Sequence, residues 1–378
     1  MKQYRNREAC FICSSPYQII GAIGIVKSEK LDADLYVTGE FPGYDVLAHK
    51  LEKYGIFSNV FMASNLAVRG RGKKVSMKMT LFSERVISSY MPKDISYNYY
   101  FASSRSTLKA TQLAVLRKRN PNIKRIVFDD GLGSYSDNGR LFAVSGLRSA
   151  VEKTLGWDLD DPNKTCLMVY LPELISLPEK LNSITVEQMP RIELDDTNRE
   201  LLSDIFGASE EHNIKERFII FDAKRRGGNL DHHSEDEKRQ LDDYYKLIKQ
   251  NVGDDCIIKP HPKSSEKPTC LISIYPYQGI PMEVLYLNMK DLENRVLISH
   301  VSTAVFTPKI LFGCEPTVIC LHNLLKDNEL SRDFESIYNK FRNTYKDKSR
   351  VNAPNSISEL NDILKNSLTT ETEQFNSK

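Results

Sequence analysis

The sequence predicts an α/β protein of two domains, each an open sheet with crossover helices. Three observations carry this expectation. Short β-branched or aromatic runs alternate with helix-length apolar patterns, the alternation occurs in two series, and a polar, charged stretch separates the series.

The first series runs through ACFICS (9–14), DLYVTG (34–39), NVFMAS (59–64), SYNYYFAS (96–103) and KRIVFDDG (124–131). Between the last two, residues 105–120 read as a helix. Leu108, Leu113, Val115 and Leu116 give it an apolar face and Pro121 ends it, which favours parallel strands joined by a crossover. The second series comprises RFIIFDA (217–223), DCIIKP (255–260), TCLISIY (269–275), RVLIS (295–299) and PTVICLH (316–322), with helical patterns at 234–250, 281–288 and 303–312. Residues 187–215 between the series are rich in charge (ELDDTNRELLSD, then ASEEHNIKE). The expected domains are therefore 1–200 and 201–378, with the connection falling near 190–215.

Composition narrows the function. The 378 residues are 40% hydrophobic, enough to bury a core in each domain. Lys and Arg number 52 against 50 Asp and Glu, a net charge of +2, so no global basic field points to nucleic acid. The longest apolar run near the N-terminus, 10–26, is broken by Ser14, Ser15, Pro16, Tyr17 and Gln18 and falls short of the ~20 residues that span a bilayer. The basic segment before it lacks a small-residue cleavage site downstream, so a cytoplasmic protein is expected rather than a secreted one. The seven cysteines are scattered, as suits buried thiols in a reducing compartment. Cys10 and Cys13 have C-x-x-C spacing, but no second pair completes a zinc site.

Ligands of open α/β sheets sit beyond the carboxyl ends of the strands, which directs attention to three loops. FDDGLG (128–133) ends a strand in Asp129 and Asp130, with Gly131 and Gly133 allowing a tight turn and close approach of a ligand. A carboxylate at such a mouth suits a general base; capping of the next element is the structural alternative, at even weight. In KPHPK (259–263), Pro260 and Pro262 bracket His261, and Lys259 and Lys263 flank it, a set suited to an anionic leaving group. A surface histidine in a Pro-rich turn is the competing account. In HVSTA (300–304), Ser302 and Thr303 open a helix whose N–H groups form a phosphate seat, or serve only as an N-cap.

Taken together and in this order, the three motifs resemble those of the bacterial sialyltransferases: an acidic pair followed by glycine, His-Pro, and Ser followed by Ser or Thr. FDDGLG and the Ser14-Ser15-Pro16-Tyr17-Gln18 turn after the first strand make the nearest likeness glycosyltransferase family 52, the lipooligosaccharide sialyltransferases. The resemblance spans most of the chain and is specific only at these motifs. It implies a GT-B architecture, two Rossmann-like domains with a cleft between them. It further implies metal-independent, inverting transfer of sialic acid from CMP-sialic acid, with no cofactor, to a terminal sugar hydroxyl, galactose by expectation, on lipooligosaccharide or capsule. Asp130 would be the base and His261 the phosphate partner. Lys259, Pro262, Gly131, Ser302 and Thr303 would line the donor. Glu283, in IPMEVL (280–285), would take the ribose contact, unless it is an ordinary first-turn glutamate. Ser15, Tyr17, Gln18 and Asp129 would face the acceptor, unless Tyr17 packs inward.

The chemistry is consistent with those roles. CMP leaves as a phosphate monoester, whose charge a histidine, two hydroxyls and a helix N-terminus can stabilise. Two rival functions remain: a same-fold glycosyltransferase with another nucleotide sugar, and a non-catalytic glycan-binding protein.

Other signals are weaker. Asp158-Leu159-Asp160 reads as a turn rather than a metal-binding D-x-D, and Asp231-His232-His233 as a solvated loop. Asp222-Ala223-Lys224-Arg225-Arg226-Gly227-Gly228 is either an anion contact or an exposed basic loop. Arg69, Arg71, Lys73, Lys74 and Lys78 form a basic patch, compatible with peripheral contact to an anionic inner membrane or with a lipid-linked acceptor; a solvated loop is the simpler account. The family likeness is compatible with a homodimer. No nucleic-acid partner is expected.

Overall fold

The computed structural model describes residues 5–39, 41–63, 83–103, 106–135, 161–222, 234–261, 268, 270–277, 279–325 and 329–375. The chain divides into two units, Met1–Glu193 and Leu194–Lys378.

In the first unit the described elements are β1 (Arg5–Cys13), α1 (Pro16–Glu29), β2 (Ala33–Val37), α2 (Tyr44–Tyr54), β3 (Asn59–Met62), α3 (Ser83–Ile87), β4 (Ile95–Ala102), α4 (Thr107–Arg119), β5 (Lys124–Phe128), β6 (Thr165–Val169) and β7 (Thr185–Gln188). The strands form one sheet in the order β3-β2-β1-β4-β5-β6-β7, with every described pairing parallel. All five strands expected in this half are present, as is the helix expected at 105–120. β6 and β7 were not expected: TCLMV is too short for periodicity to distinguish, and TVEQ is a mostly exposed edge strand with little apolar signal.

Parallel strands are covered on both faces, and Ala9–Cys13 of β1 and all of β2 are accordingly buried without alternation. Phe11 stacks on Phe101 of the neighbouring strand at 4.2 Å between ring centroids, and Phe128 meets Phe11 edge-on at 6.1 Å. Helix α1 is buried continuously from Gln18 to Val26. It approaches so closely that a Cβ on Gly21 would lie 2.6 Å from Met189 Cε. The same Cβ would lie 3.8 Å from Cε2 of Phe128, the last residue of β5, so α1 runs beside the end of that strand.

The second unit contains α5 (Asp196–Phe206), β8 (Phe218–Phe221), α6 (Glu235–Val252), β9 (Cys256–Lys259), β10 (Ser273–Ile274), α7 (Met282–Asn288), β11 (Val296–Ser299), α8 (Thr307–Phe312), β12 (Thr317–Cys320), α9 (Glu329–Arg342), β13 (Val351–Asn352) and α10 (Ile357–Phe375). Its sheet runs β10-β9-β8-β11-β12-β13, again parallel in every described pairing. Each unit thus has the doubly wound order in which the sheet reverses direction beside its first strand, at β1/β4 and at β8/β11. The α/β class and the repeated doubly wound layout agree with the sequence expectation.

The division falls at Glu193/Leu194, within the stretch 190–215 where the connection was expected, and α5 follows it as one hydrogen-bonded element: Asp195 caps it by accepting from Asn198 N–H at 2.7 Å. It packs on α7, where Arg199 Nε donates to Leu287 O at 2.9 Å. The run 269–275 yields only Ser273–Ile274, an edge strand paired on one side, with Leu271 exposed. The helix expected over 303–312 is a 3₁₀ turn, Thr303–Phe306, followed by α8 with Pro308 in its first turn.

Among the described residues no helix is long and apolar enough to cross a membrane. Cys10 and Cys13 are buried within β1, and burial pushes both thiols up, so they behave as core residues.

Candidate functional site

Strand β5 ends at Phe128, and the ladder continues one step further as Asp129 N–H donates to Met168 O at 3.0 Å. Asp129 is fully buried. Its Oδ1 accepts from Gly131 N–H at 2.7 Å and from Tyr17 Oη at 3.1 Å, and its Oδ2 accepts from Tyr170 N–H at 3.3 Å and from the Tyr135 hydroxyl. Burial pushes this carboxyl up to about 6, against the pull of those hydrogen bonds, of which Tyr135's is the strongest. Burial, with the Asp129 charge next, drives the Tyr17 and Tyr135 hydroxyls well above the ordinary tyrosine range, so both remain donors.

This network turns the chain sharply. Gly131 takes φ +76°, in the left-handed region, and Ser134 Oγ accepts from Asp130 N–H at 2.8 Å. Asp130 emerges half-buried at the strand mouth, and its Oδ1 receives the Gln18 amide Nε2 at 2.5 Å. Ser15, as N-cap of α1, accepts from Gln18 N–H at 3.3 Å.

Four expectations for this loop need revision. Asp129 and Gln18 do not face an acceptor: one is wholly buried and the other is 3% exposed, and both organise the turn. Tyr17 directs its hydroxyl to Asp129, the inward-packed alternative, and Ser15 acts as a helix cap. Asp130 is the member of the acidic pair that stays partly exposed at the strand mouth. Sequence reading overlooked Ser134, Tyr135, Tyr170 and Lys109. The first two lie within the GLGSY continuation of the motif, where an available signal existed; Tyr170 and Lys109 are brought in only by strand and helix packing.

In the second unit the carboxyl ends of the strands again carry the candidates. Register pairs Lys259 with Phe221 and Phe221 with Ser299, so β9, β8 and β11 end in one row, with Lys259 and Ser299 roughly 10 Å apart at two strand spacings. Lys259 is buried, lies 4.7 Å over the Tyr275 ring and donates to Tyr277 O at 3.4 Å. Desolvation lowers its ammonium to about 8, partly offset by the negative charge of Glu283. Glu283, in the first turn of α7, is raised by burial and pulled back by Lys259. The two are electrostatic partners, which their separation by 24 positions in the sequence does not suggest.

His261 stands half-buried two residues past β9, after a buried Pro260; Pro262 lies outside the described residues. Ser302 N–H donates to Ser299 Oγ at 2.7 Å, and Ser302 Oγ accepts from Ala304 N–H at 3.4 Å, while Thr303 is exposed. The 3₁₀ turn that follows has no long aligned dipole, so any anion binding here rests on hydroxyls and local N–H groups rather than on a helix field. Tyr275, Tyr277 and His212 form a cluster beside Lys259 that sequence reading did not identify: Tyr277 contacts His212 at 4.4 Å and Tyr275 at 5.6 Å between centroids, and Tyr275 Oη donates to His212 O at 2.7 Å.

Asp222, first residue of the Asp-Ala-Lys-Arg-Arg-Gly-Gly stretch, is buried and accepts from Tyr245 Oη at 3.1 Å, a bond that supports the sheet end. Residues 223–228, 231–233, 158–160 and the basic patch at 69–78 lie outside the described residues. Among the described residues no group of three or more His, Cys, Asp or Glu side chains is arranged to hold a metal ion.

No protein-family model matches the chain, and no curated protein matches it. Among solved structures, a glycosyl transferase family 9 protein from Veillonella parvula aligns over 85% of this chain and 81% of its own, at 10% identity and a TM-score of 0.32. Active domain 2 of a thermostable chitinase from Pyrococcus furiosus aligns over 76% of this chain and 95% of its own, at 12% identity and a TM-score of 0.21. Likenesses this slight carry no argument about the chemistry of the chain.

Proposed function

We propose that the protein is an inverting glycosyltransferase, a sialyltransferase that moves sialic acid from CMP-sialic acid to a sugar hydroxyl, by expectation galactose, of a bacterial surface glycan such as lipooligosaccharide or capsule. The observation that carries the reading is the environment of Asp130. Its acidic neighbour is consumed by the fold, and an amide holds one oxygen of the second carboxylate at the mouth of a parallel sheet.

In this reading Asp130 takes the proton of the acceptor hydroxyl as it attacks the anomeric carbon. The bond from that carbon to the phosphate oxygen breaks, and CMP departs with the electron pair. His261 donates a proton or hydrogen bond to the phosphate, and Ser302 and Thr303 add hydroxyls. Lys259, desolvated and paired with Glu283, contacts the nucleotide, with Glu283 meeting the ribose; Gly131 and Pro262 lie alongside. The reading requires no cofactor and no metal. The acceptor is taken to be lipid-linked, with contact at the inner membrane; a homodimer is compatible with it.

Transfer from CMP-sialic acid to a panel of galactosides in EDTA is the direct test, comparing wild type with Asp130→Ala and His261→Ala. Transfer by wild type and loss in both variants is expected. If CMP-sialic acid is neither bound nor consumed while another sugar nucleotide is, the donor assignment falls. If transfer survives Asp130→Ala, the base assignment falls.

A further inference from the structure

The Gln18 side chain lies between partners with opposite requirements. Its Oε1 faces Ser14 N–H at 2.7 Å and Ser14 Oγ at 3.1 Å, and its Nε2 faces Asp130 Oδ1 at 2.5 Å. A backbone N–H only donates and a carboxylate only accepts, so the amide has one allowed orientation. Behind Ser14, the buried Lys109 places Nζ 3.3 Å from Ser14 Oγ and 3.3 Å from Ser103 Oγ. An ammonium only donates. The Ser14 hydroxyl therefore accepts from Lys109 and donates its own proton to Gln18 Oε1. Every bond runs one way, from Lys109 through Ser14 and Gln18 to Asp130.

Ser14 follows β1 and Ser103 follows β4, so Lys109 bridges the two strand ends at which the first sheet reverses direction. Among the described residues, Cys13 from β1 and Lys109 from α4 interact with this end of the sheet, and Tyr17 from α1, Tyr135 of the turn and Tyr170 beyond β6 gather on the adjoining Asp129. Burial holds the thiol and the three tyrosines in their neutral forms, so Lys109 supplies the positive charge of this set. Hydrogen bonds aligned in series polarise one another, which strengthens the last bond on the carboxylate.

We propose that Gln18 and Lys109 are positioning residues that fix Asp130 by its Oδ1, leaving Oδ2 to receive the proton of the acceptor. This rests on the reading of Asp130 as the base. Sequence spacing alone cannot show the relationship, because it joins residues from two helices and two strand ends.

The test observes Asp130 directly. In the full-length protein labelled with ¹³C at aspartate carboxyls, the Asp130 signal is assigned by its loss in Asp130→Asn and titrated in wild type, Gln18→Glu, Lys109→Met and Lys109→Arg. Glu at position 18 would bring a second carboxylate against Asp130, so the midpoint is expected to rise by about one pH unit or more. Lys109→Met is expected to raise it as well, and Lys109→Arg to restore it. An unchanged midpoint in a folded Gln18→Glu protein overturns the proposal. If that variant does not fold, Gln18→Met serves in its place: loss of the donor raises the midpoint by less, and no rise overturns the proposal. In an active enzyme the acid limb of the pH-rate profile moves with the midpoint. A wild type that turns over no sugar nucleotide while Gln18→Glu still shifts Asp130 defeats the functional reading and leaves the positioning role standing.

Discussion

Gln18 and Asp130 are separated by 112 residues in the chain and by 2.5 Å in space, amide nitrogen to carboxylate oxygen. The contact joins the first turn of α1 to the loop after β5, and it divides labour within the acidic pair. Asp129 holds the turn together and Asp130 is held by it. The following expectations derive from that division and from its counterpart in the second unit.

Replacing Asp130 by Asn removes a base while retaining the size of the side chain. Transfer is expected to fall by about 10²–10⁴-fold, the ordinary contribution of a positioned base. Steady-state kinetics together with calorimetric CMP binding checks this, since binding of the nucleotide should be retained.

Asp129→Asn should act on stability. An amide replaces one acceptor oxygen by an NH2 group, which then faces either Gly131 N–H and Tyr17 or Tyr170 N–H and Tyr135, groups that donate to the carboxylate, so a loss of about 1–3 kcal/mol is expected in urea unfolding. The wild-type carboxyl also carries a pH signature. Because its folded value lies near 6, above the unfolded one, its contribution is fully present below about pH 4 and is lost as pH rises through 6. The Asn variant should lack that component.

Lys259 titrates near 8, within reach of an ordinary pH series. Affinity for CMP is expected to decline above that pH as the ammonium loses its charge, and Lys259→Met should bind weakly without this limb. Isothermal titration from pH 6.5 to 9.5 separates the two. The fold gains stability as pH rises from about 8 to 10.5, since over that window the unfolded chain binds the proton more tightly.

Gly131→Ala tests the turn alone. A Cβ there would come no nearer than 4.0 Å to Tyr17, so steric crowding is absent and the cost is the left-handed φ of +76°. A destabilisation of about 1 kcal/mol is expected, with a larger proportional loss of transfer because the peptide carrying Asp130 must shift. Thermal melts and kinetics on the same preparation report both.

Much of this molecule is legible in one dimension. Strand segments such as ACFIC and FIIF are buried on both faces, so their apolar character is continuous and local, and the doubly wound class follows from their alternation with helices. The strand ends next to Asp130 and at Lys259 are legible because glycine and proline mark them in the sequence itself. The polar edge strand β7 was not, since exposure on an edge removes the apolar signal.

Local pattern also fixed the residue types at the strand mouths, but it could not allocate their roles. Asp129 and Asp130 are chemically identical neighbours. Only the packed tyrosines, the Gly131 turn and the amide of Gln18 decide that one is buried and the other presented. Likewise, nothing in the spacing of Lys259 and Glu283 couples them; desolvation of both at one sheet end does. The physical reason is range: hydrophobic periodicity and turn chemistry act over a few residues, whereas burial and hydrogen-bond partnership depend on what distant segments bring to the same point.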